Sequence, residues 1–499
     1  MASFFILTFG CRSNQADSAA IRESFFSRGM IESESFDSAD IVVVNTCTVT
    51  HRSDKQARQA IRRVHRDNPA ARIVVAGCYA QRDAATAAGL PGVCLVVGNA
   101  EKTRIPDLLE AAEEFQDKKI FRPDNLITIN NAELNEPVKI LYSERAQVSK
   151  KEASENFKVQ GGGDAAYSAV RKAAPTPQFG ILAAGLYKFG KPVPVRSISP
   201  RTGDRTRPLV KLQDGCDNRC AYCIVPSVRG PARSVSPEDV LWEIRSLTDL
   251  GFREIVLTGI NLGAYGLRIK GHARLIDLLR QIVVLPGVGR IRLSSVEPVF
   301  LDREIVRLAG ENPVLARHFH IPLQSGSDRI LRLMRRPYTA SLFREIMEFI
   351  HMELPDAGLG TDVITGFPGE TDKDFEETRR FIEETPFSYL HVFPFSPREG
   401  TEAFSLPGRV PSHVVKTRTA EIINLGRAKN LEFRRGFLGR TLSAITLSKE
   451  EAEGDSVVLT RNFIHARVPG LSVPPNRFVE VRIEEIREGS TYAAVVSHE

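Results

Sequence analysis

Short apolar runs separated by polar stretches of helical period organise residues 1–118. The runs "FFILTF" (Phe4 to Phe9), "IVVVN" (Ile41 to Asn45), "IVVA" (Ile73 to Ala76) and "CLVVG" (Cys94 to Gly98) predict strands. Helices are predicted between them at Asp17–Arg28, Asp54–His65 (Ser53 as cap) and Gln81–Ala88. Strands alternating with helices predict a parallel α/β sheet.

The pattern dissolves over residues 119–205, where "VQGGGDAAYSAV", "KAAPTPQ" and "KPVPVRSISPRTGDRTRP" carry little periodicity. A structureless stretch of that length is uncommon inside a compact domain, so a mostly flexible linker or insert is expected. "FGILAAGLYKFG" within it predicts a short helix.

Alternation returns over residues 206–433. Strands are predicted at "LVKLQ" (209–213), "REIVLTG" (253–259), "RIRLSS" (290–295), "HFHIPLQ" (318–324), "LGTDVITG" (359–366) and "YLHVFPFS" (389–396). Helices fit between them, including Pro237–Leu250 after a Ser236 cap and Phe343–Met352. By pattern alone, an incomplete TIM-like barrel and a doubly wound sheet serve equally well. Residues 436–499 switch to β-branched alternation ("LSAITLS", "SVVLTR", "RFVEVRIEEI", "TYAAVV"), which predicts a small closed β-barrel. The basic stretch "NLGRAKNLEFRRGFLGR" leads into it.

Composition adds little to this division. A chain of 499 residues exceeds one hydrophobic core, and 42% hydrophobic with 26% charged residues is ordinary for a globular protein. The formal charge of +6 leans weakly toward a polyanionic partner. The start "MASFFILTFGCRSN" is a poor secretory signal, and Lys188 breaks the longest apolar stretch. No membrane association and a cytoplasmic location are expected.

Seven cysteines in a chain of this length do not make a disulfide scaffold. Cys11, Cys47 and Cys78 each follow the carboxyl end of a predicted strand by one or two residues. Ligands gather beyond those ends in open α/β sheets, and neighbouring strands lie about 4.8 Å apart, so the three thiols can converge on one object. Cys94 opens its strand and reads as a buried small hydrophobe. Cys216, Cys220 and Cys223 share the loop "DGCDNRCAYC" after "LVKLQ". Thiolates at C-x3-C-x2-C spacing suit iron–sulfur or zinc. A structural zinc wants a fourth Cys or His nearby, and neither follows at comparable spacing. An iron–sulfur cube with one open iron fits better, with a zinc loop completed by a distant residue as the alternative.

C-x3-C-x2-C after the first strand of a β-α series resembles the radical S-adenosylmethionine superfamily. "TFGCRSNQADS", "VVNTCTVTHRSDKQARQAIRR" and "VVAGCYAQ" resemble the amino-terminal domain of its methylthiotransferases. "QDGCDNRCAYCIVPSVRGPARS", "IPLQSGSDRILRLMRRPYT", "TDVITGFPGETDKDFEET" and "HVFPFSPREGTEA" resemble that family's core, and the last segment resembles its RNA-binding TRAM domain. Among the branches, "NTCTVT" and "DGCDNRCAYCIVP" look most like the one acting on N6-threonylcarbamoyladenosine in tRNA. Relatives modify isopentenyladenosine in tRNA or a ribosomal-protein aspartate. The long insert before Leu209 and Ser227, where an aromatic is usual, depart from the pattern.

The resemblance implies an amino-terminal domain over 1–118, a linker over 119–205, a partial (β/α)6 TIM-like radical SAM barrel over 206–433 and a TRAM barrel over 436–499. It implies two [4Fe–4S] clusters, a radical-generating one on Cys216, Cys220 and Cys223 and a sulfur-donating one on Cys11, Cys47 and Cys78, with S-adenosyl-L-methionine as cofactor. It places Thr258, Gly259 and Asn261 near the cofactor's methionine, Glu297 near its ribose and Gly366, Pro368 and Gly369 near its adenine. The implied reaction replaces hydrogen on C2 of the modified adenine at position 37 with a methylthio group. That C–H is not acidic enough for a side-chain base to start it. An electron donor protein and a sulfur source are implied partners. For tRNA phosphates the candidates are Lys55, Arg58, Arg62, Arg63 and Arg66 on one helix and Arg434, Arg435 and Arg440 before the last barrel. Phe463 reads as small-barrel core, with base stacking as the alternative. A zinc-stabilised RNA-binding protein without catalysis is the reading from another class.

Overall fold

The computed structural model describes residues 2–117, 126–129, 138–141, 182–184, 206–267, 274–447, 456–471 and 473–498. These divide into two compact units. The first comprises Met1–Phe9, Ser24–Thr48 and Arg52–Gly190; the second comprises Gly10–Glu23, Val49–His51 and Lys191–Glu499.

In the first unit, strands β1 (Ser3–Thr8), β2 (Ile31–Glu32), β3 (Ile41–Thr46), β4 (Arg72–Gly77) and β5 (Val93–Val97) pair in parallel. All of β3 is buried, as a parallel strand covered on both faces should be. Val42, Val44, Ile73, Val75 and Val96 pack against Ala57, Ile61 and Val64 of the helix His51–Asp67. The expected Gln81–Ala88 helix is two short ones, Cys78–Arg82 and Ala84–Ala88, parted at Asp83, whose carboxylate caps the second through Thr86 N–H.

Within residues 119–205, three short stretches are strand. They are β6 (Leu126–Ile129), β7 (Val138–Leu141) and β8 (Leu182–Ala184), extending the sheet to the order β2-β1-β3-β4-β5-β8-β7-β6. Within "FGILAAGLYKFG", Leu182–Ala184 is strand where a helix is expected. An uncapped β5 edge offers a row of unpaired N–H and C=O groups, and β8 satisfies them in parallel register. The rest of that expected linker lies outside the described residues.

In the second unit, β9 (Leu209–Asp214), β11 (Glu254–Gly259), β12 (Arg290–Leu293), β13 (His318–His320), β14 (Gly358–Thr365) and β15 (Tyr389–Pro394) follow one another in chain order. β10 (Arg233–Ser234) runs antiparallel on the β9 edge. The ladders form a four-stranded and a three-stranded sheet, joined by parallel bridges Ile291–Leu315 and Ser295–His320. This decides for the partial barrel over the doubly wound sheet, because the strand order never reverses. β13 is shorter than the predicted 318–324, since the chain leaves the ladder at "IPLQ".

The helices match the barrel. Ser236 accepts from Asp239 N–H at the start of Pro237–Asp249, and Thr339 accepts from Leu342 N–H at the start of Ala340–Glu353. Glu243, on the buried face of Pro237–Asp249, is an anomaly. Burial pushes its carboxyl from an ordinary 4.5 up to about 8, only partly opposed by Lys211. A raised acid favours folding fully below pH 4.5, and that contribution is lost as pH rises toward 8. Glu243→Gln is thus expected to match the parent near pH 5 and to exceed its stability above pH 8 by a few kcal/mol. Thermal melts at the two pH values check this.

The last segment forms a closed barrel in the order β16-β17-β18-β20-β19, from β16 (Thr441–Thr446), β17 (Ser456–Thr460), β18 (His465–Val468), β19 (Phe478–Arg487) and β20 (Ser490–His498). The basic stretch before it is the end of a long helix, Ser412–Arg435.

Two expectations fail at this junction. Arg434 is buried, and its Nη1 donates to Arg487 O at 3.1 Å, Ser490 O at 2.7 Å and Thr491 Oγ1 at 3.0 Å. It staples the helix to β19 and β20 and does not face RNA. Arg435 and Arg440 remain exposed. Phe463 does not join the small barrel's core and is half-buried. Its ring stacks on His318 at 4.1 Å and lies 5.3 Å from the Arg292 guanidinium, at the foot of the larger barrel. A φ of +75° turns it out of its own barrel, a cost such contacts offset.

Candidate active site

The chain enters the cysteine loop through a locked corner. Gly215 has φ +72°, and a Cβ there would meet Pro231 O at 2.0 Å, so only glycine fits. Gln213 Nε2 donates to Asp214 O and Gly215 O at 3.0 and 2.6 Å, while its Oε1 accepts from Asn261 N–H at 2.8 Å. Asp214 accepts from Gly215 N–H and Arg229 and pairs with Lys211; Arg229 and Lys211 also bind Asp17 on the Gly10–Glu23 segment. This buried network has its charges paired, which is the condition for tolerating them away from water.

The loop is then fastened from above and below. Ala221 N–H donates to Met334 O at 3.0 Å, and Ala403 N–H donates to Ala221 O at 2.7 Å. Ala221 packs with Ile330, Met334, Phe367 and Ala403 in one apolar cluster, with Tyr222 against it. Phe367 is the second residue of "GFPGE", so this turn is anchored beneath the cysteine loop.

Each of the three sulfurs receives an N–H donor. Backbone N–H groups of Asn218 and Val225 bond Cys216 and Cys223, and Arg336 Nη1 lies 3.2 Å from Cys220 Sγ. Burial nevertheless pushes the Cys216 thiol up to about 11 and the Cys223 thiol up to about 12. Thiolates here need further positive charge close by, which iron supplies. Donated hydrogen bonds to sulfur are also what tunes iron–sulfur sites. The sulfurs of Cys216, Cys220 and Cys223 do not all lie within 4.8 Å of one another. Thiolates on a single zinc lie about 3.8 Å apart, given Zn–S bonds near 2.3 Å. A single zinc would require the loop to close further.

Around it sit four of the expected cofactor residues. Thr258 and Asn261 are buried at the end of β11, and a Cβ on Gly259 would stand 3.2 Å from Gln213. Asn261 reaches Cys216 with its side chain, yet its Oδ1 is buried with no hydrogen-bond partner. Ser294 Oγ, after β12, is similarly orphaned. Buried orphan acceptors are rare and fit a ligand donor, such as the amino group of S-adenosylmethionine. Glu297 is held by the Arg336 guanidinium, and burial raises its carboxyl against that pairing. Arg336 in turn reaches Tyr338 OH at 2.9 Å and Tyr222 OH at 3.4 Å. Arg336, Tyr222 and Phe367 were not singled out from the sequence, though "LMRRPYT" and "GFPGE" carry two of them.

Gly366, Pro368 and Gly369 belong to the turn that Phe367 anchors. Gly366 has φ +74° and faces Val415, and with Pro368 it lines a cavity of about 580 Å³ against the helix Ser412–Arg435. Gly369 N–H donates to Gly408 O at 2.8 Å.

Cys47 and Cys78 follow directly the registered pair Thr46 and Gly77 on adjacent strands, and both are buried. Gly77 has φ +98°, and a Cβ there would stand 2.5 Å from Thr46 O, so the close approach depends on glycine. Asn99 Nδ2 lies 3.7 Å from Cys78 Sγ. Cys11 is exposed and belongs to the Gly10–Glu23 segment of the second unit. Cys94 is half-buried rather than fully buried, and desolvation pushes its thiol up to about 11. On the helix His51–Asp67, Lys55, Arg62, Arg63 and Arg66 are exposed; Arg63 and Arg66 pair with Asp67, and Arg58 lies over Tyr79.

A cysteine loop of this spacing at the carboxyl mouth of a six-strand partial barrel defines a radical SAM fold, which implies S-adenosylmethionine and one [4Fe–4S] cluster. Residues 210–382 match the model of the radical SAM superfamily, and residues 3–98 match that of an uncharacterized family, UPF0004. The chain is 33% identical to the threonylcarbamoyladenosine tRNA methylthiotransferase MtaB of Aquifex aeolicus, over 93% of this chain and 96% of that one. It is 32% identical to MtaB of Bacillus subtilis over 97% and 94%, and 30% identical to tRNA-2-methylthio-N(6)-dimethylallyladenosine synthase of Thermobifida fusca over 99% and 87%. A solved radical SAM methyltransferase, TsrM of Kitasatospora setae, shares the fold at a TM-score of 0.51 and 14% identity, over 78% of this chain and 72% of that one. The chain belongs to the radical SAM methylthiotransferase family and is an enzyme. No described helix is long and apolar enough to cross a membrane.

Proposed function

We propose that this enzyme transfers a methylthio group to C2 of N6-threonylcarbamoyladenosine at position 37 of tRNA. The observation that carries the reading is the three-cysteine loop, with an N–H donor on every sulfur, in a chain that aligns nearly end to end with MtaB relatives. When bound, the cluster and S-adenosylmethionine supply one-electron chemistry able to break an unactivated aromatic C–H.

The chain's own residues do the rest. Asn261 Oδ1, the unpartnered acceptor beside Cys216, would receive the cofactor's amino group, with Thr258 and Gly259 shaping that edge. Glu297, oriented by Arg336, takes the ribose hydroxyls. Gly366, Pro368 and Gly369 form the turn beside the adenine, held by Phe367 under the cysteine loop. Cys11, Cys47 and Cys78 would hold a second [4Fe–4S] cluster, which would supply the sulfur. Residues 1–118, 206–433 and 436–499 act as cluster domain, radical SAM core and TRAM domain. tRNA meets the exposed Lys55 and Arg62 and, beside the small barrel, Arg435 and Arg440. An electron donor protein and a sulfur source complete the cycle.

Two measurements test this. Anaerobically reconstituted protein is expected to hold about eight irons, and Cys78→Ala about four. An unchanged iron content in that variant would remove the second cluster. Nucleosides from cells lacking the protein are expected to lose the methylthio form of threonylcarbamoyladenosine and keep its precursor. Dimethylallyladenosine synthases align at similar identity, so loss of the methylthio isopentenyl form instead would move the substrate to that branch.

A further inference from the structure

Three strands of the larger barrel bring together a set of side chains that none of the above uses. His320 ends β13, Asp362 is central in β14, and His391 lies directly opposite Asp362 on β15. Asp362 Oδ1 lies 3.0 Å from His320 Nε2 and 3.3 Å from His391 Nδ1. All three ligand atoms fall within 4.8 Å of one another, the only such group of three His, Cys, Asp or Glu donors among the described residues.

Those separations have a chemical meaning. Ligands about 2.1 Å from one ion, set at 90° to 109°, are about 3.0 to 3.4 Å apart. Two imidazoles and one carboxylate oxygen on one face is also the donor set of open transition-metal sites.

The surroundings hold the set in place. Tyr389 OH lies 3.0 Å from His320 Nδ1, so His320 can donate its far N–H there and keep Nε2 as a lone pair. Metal-bound histidines are usually oriented by such a partner. The same hydroxyl lies 2.8 Å from His318 Nε2, and His318 rests on Phe463. Gly360, the register partner of both His320 and Tyr389, makes this possible: a Cβ there would stand 2.0 Å from the Tyr389 ring. The small barrel thus backs the site through Phe463, His318 and Tyr389.

We infer that His320, Asp362 and His391 bind a divalent first-row transition ion of the zinc(II) or iron(II) class, at a site distinct from both cysteine sets. His320 is 6% exposed at its side chain and His391 is 56% exposed, so the ion is reachable on the His391 side. Three protein ligands leave coordination positions open there for an oxygen ligand, whether water or a carbonyl or carboxylate of the substrate.

The test uses the anaerobically reconstituted holoprotein and zinc(II) alone as probe. Equilibrium dialysis against buffered micromolar free zinc, read by elemental analysis, is expected to show one zinc per chain beyond the cluster iron. His391→Ala, at an exposed position, and His320→Ala are each expected to weaken zinc binding at least about 100-fold with iron and sulfide unchanged, and Tyr389→Phe about 10-fold. Zinc is expected to raise the melting temperature of the parent and not that of His391→Ala. No zinc above the cluster background, or equal zinc in the parent and His391→Ala, would overturn the site and leave a plain hydrogen-bonded triad. Either result stands apart from the nucleoside assay, because binding is read without turnover.

Discussion

Cys220→Ala is expected to abolish methylthio transfer, with residual turnover on the order of 10⁻⁴ of the parent or less. The expectation follows from chemistry that has no fallback: an aromatic C–H offers nothing for a side-chain base to act upon, so losing the radical source leaves no slower route. The structural consequence is smaller. Cys220 is only partly buried, and Ala221 keeps its bonds to Met334 and Ala403. Its Arg336 partner still has Glu297, Tyr222 and Tyr338. Iron content, the visible cluster spectrum and cofactor cleavage should therefore fall together, while the melting temperature stays close to that of the cluster-free parent. Full cluster loading with activity intact would show that the ligand lies elsewhere.

Glu254→Gln is expected to have the largest effect on stability. Glu254 is fully buried at the start of β11, where Arg292 Nε donates to it at 2.8 Å and Arg290 and Arg207 pair with it at 3.4 and 3.2 Å. Burial alone would raise this carboxyl, yet the guanidinium groups hold it at about 2. A depressed carboxylate contributes stability above its unfolded value near 4.5, and that contribution is lost as pH falls toward 2. Removing the charge leaves buried guanidinium groups uncompensated, a loss of about 3–5 kcal/mol at pH 7. The damage should extend to the small barrel, because Arg292 also donates to Thr460 O and Arg461 O at 3.1 and 3.2 Å. Melts at pH 7 and pH 4 check the sign: the gap between variant and parent narrows in acid. A gap that widened would show that the pair is not what stabilises this junction.

The legible part of the fold was carried by local pattern. β3 and β4 announced themselves as unbroken β-branched runs because a parallel strand buried on both faces has no polar side to show. The Pro237–Asp249 helix was readable from Ser236 and Pro237, since capping chemistry lies within four residues. The strand at Leu182–Ala184 was not legible, for the opposite reason. Leu182–Ala184 has no strand signature of its own, and its conformation comes from the open β5 edge, more than eighty residues back along the chain. Arg434 looked like a surface cation in a basic stretch, because sequence does not say which face of a helix meets a neighbour.

The same division runs through the site. Cysteine identity and spacing are local, so a cluster loop could be read directly from "CDNRCAYC". The groups that make the loop workable are distant. Arg336 meets Cys220 across 116 residues of chain, and Phe367 supports the loop from another strand's end. His320, Asp362 and His391 sit on three strands, and only the register of β13, β14 and β15 lines them up.

By itself, the order of residues determined what depends on neighbours in the chain: which segments become strand or helix, where they start, and which thiols share a loop. Tertiary structure alone decided which charges are buried together, which glycine leaves room for a tyrosine, and where Phe463 lands. The reason is that a side chain's surroundings are set by packing between elements, and packing has no period that a single sequence can display.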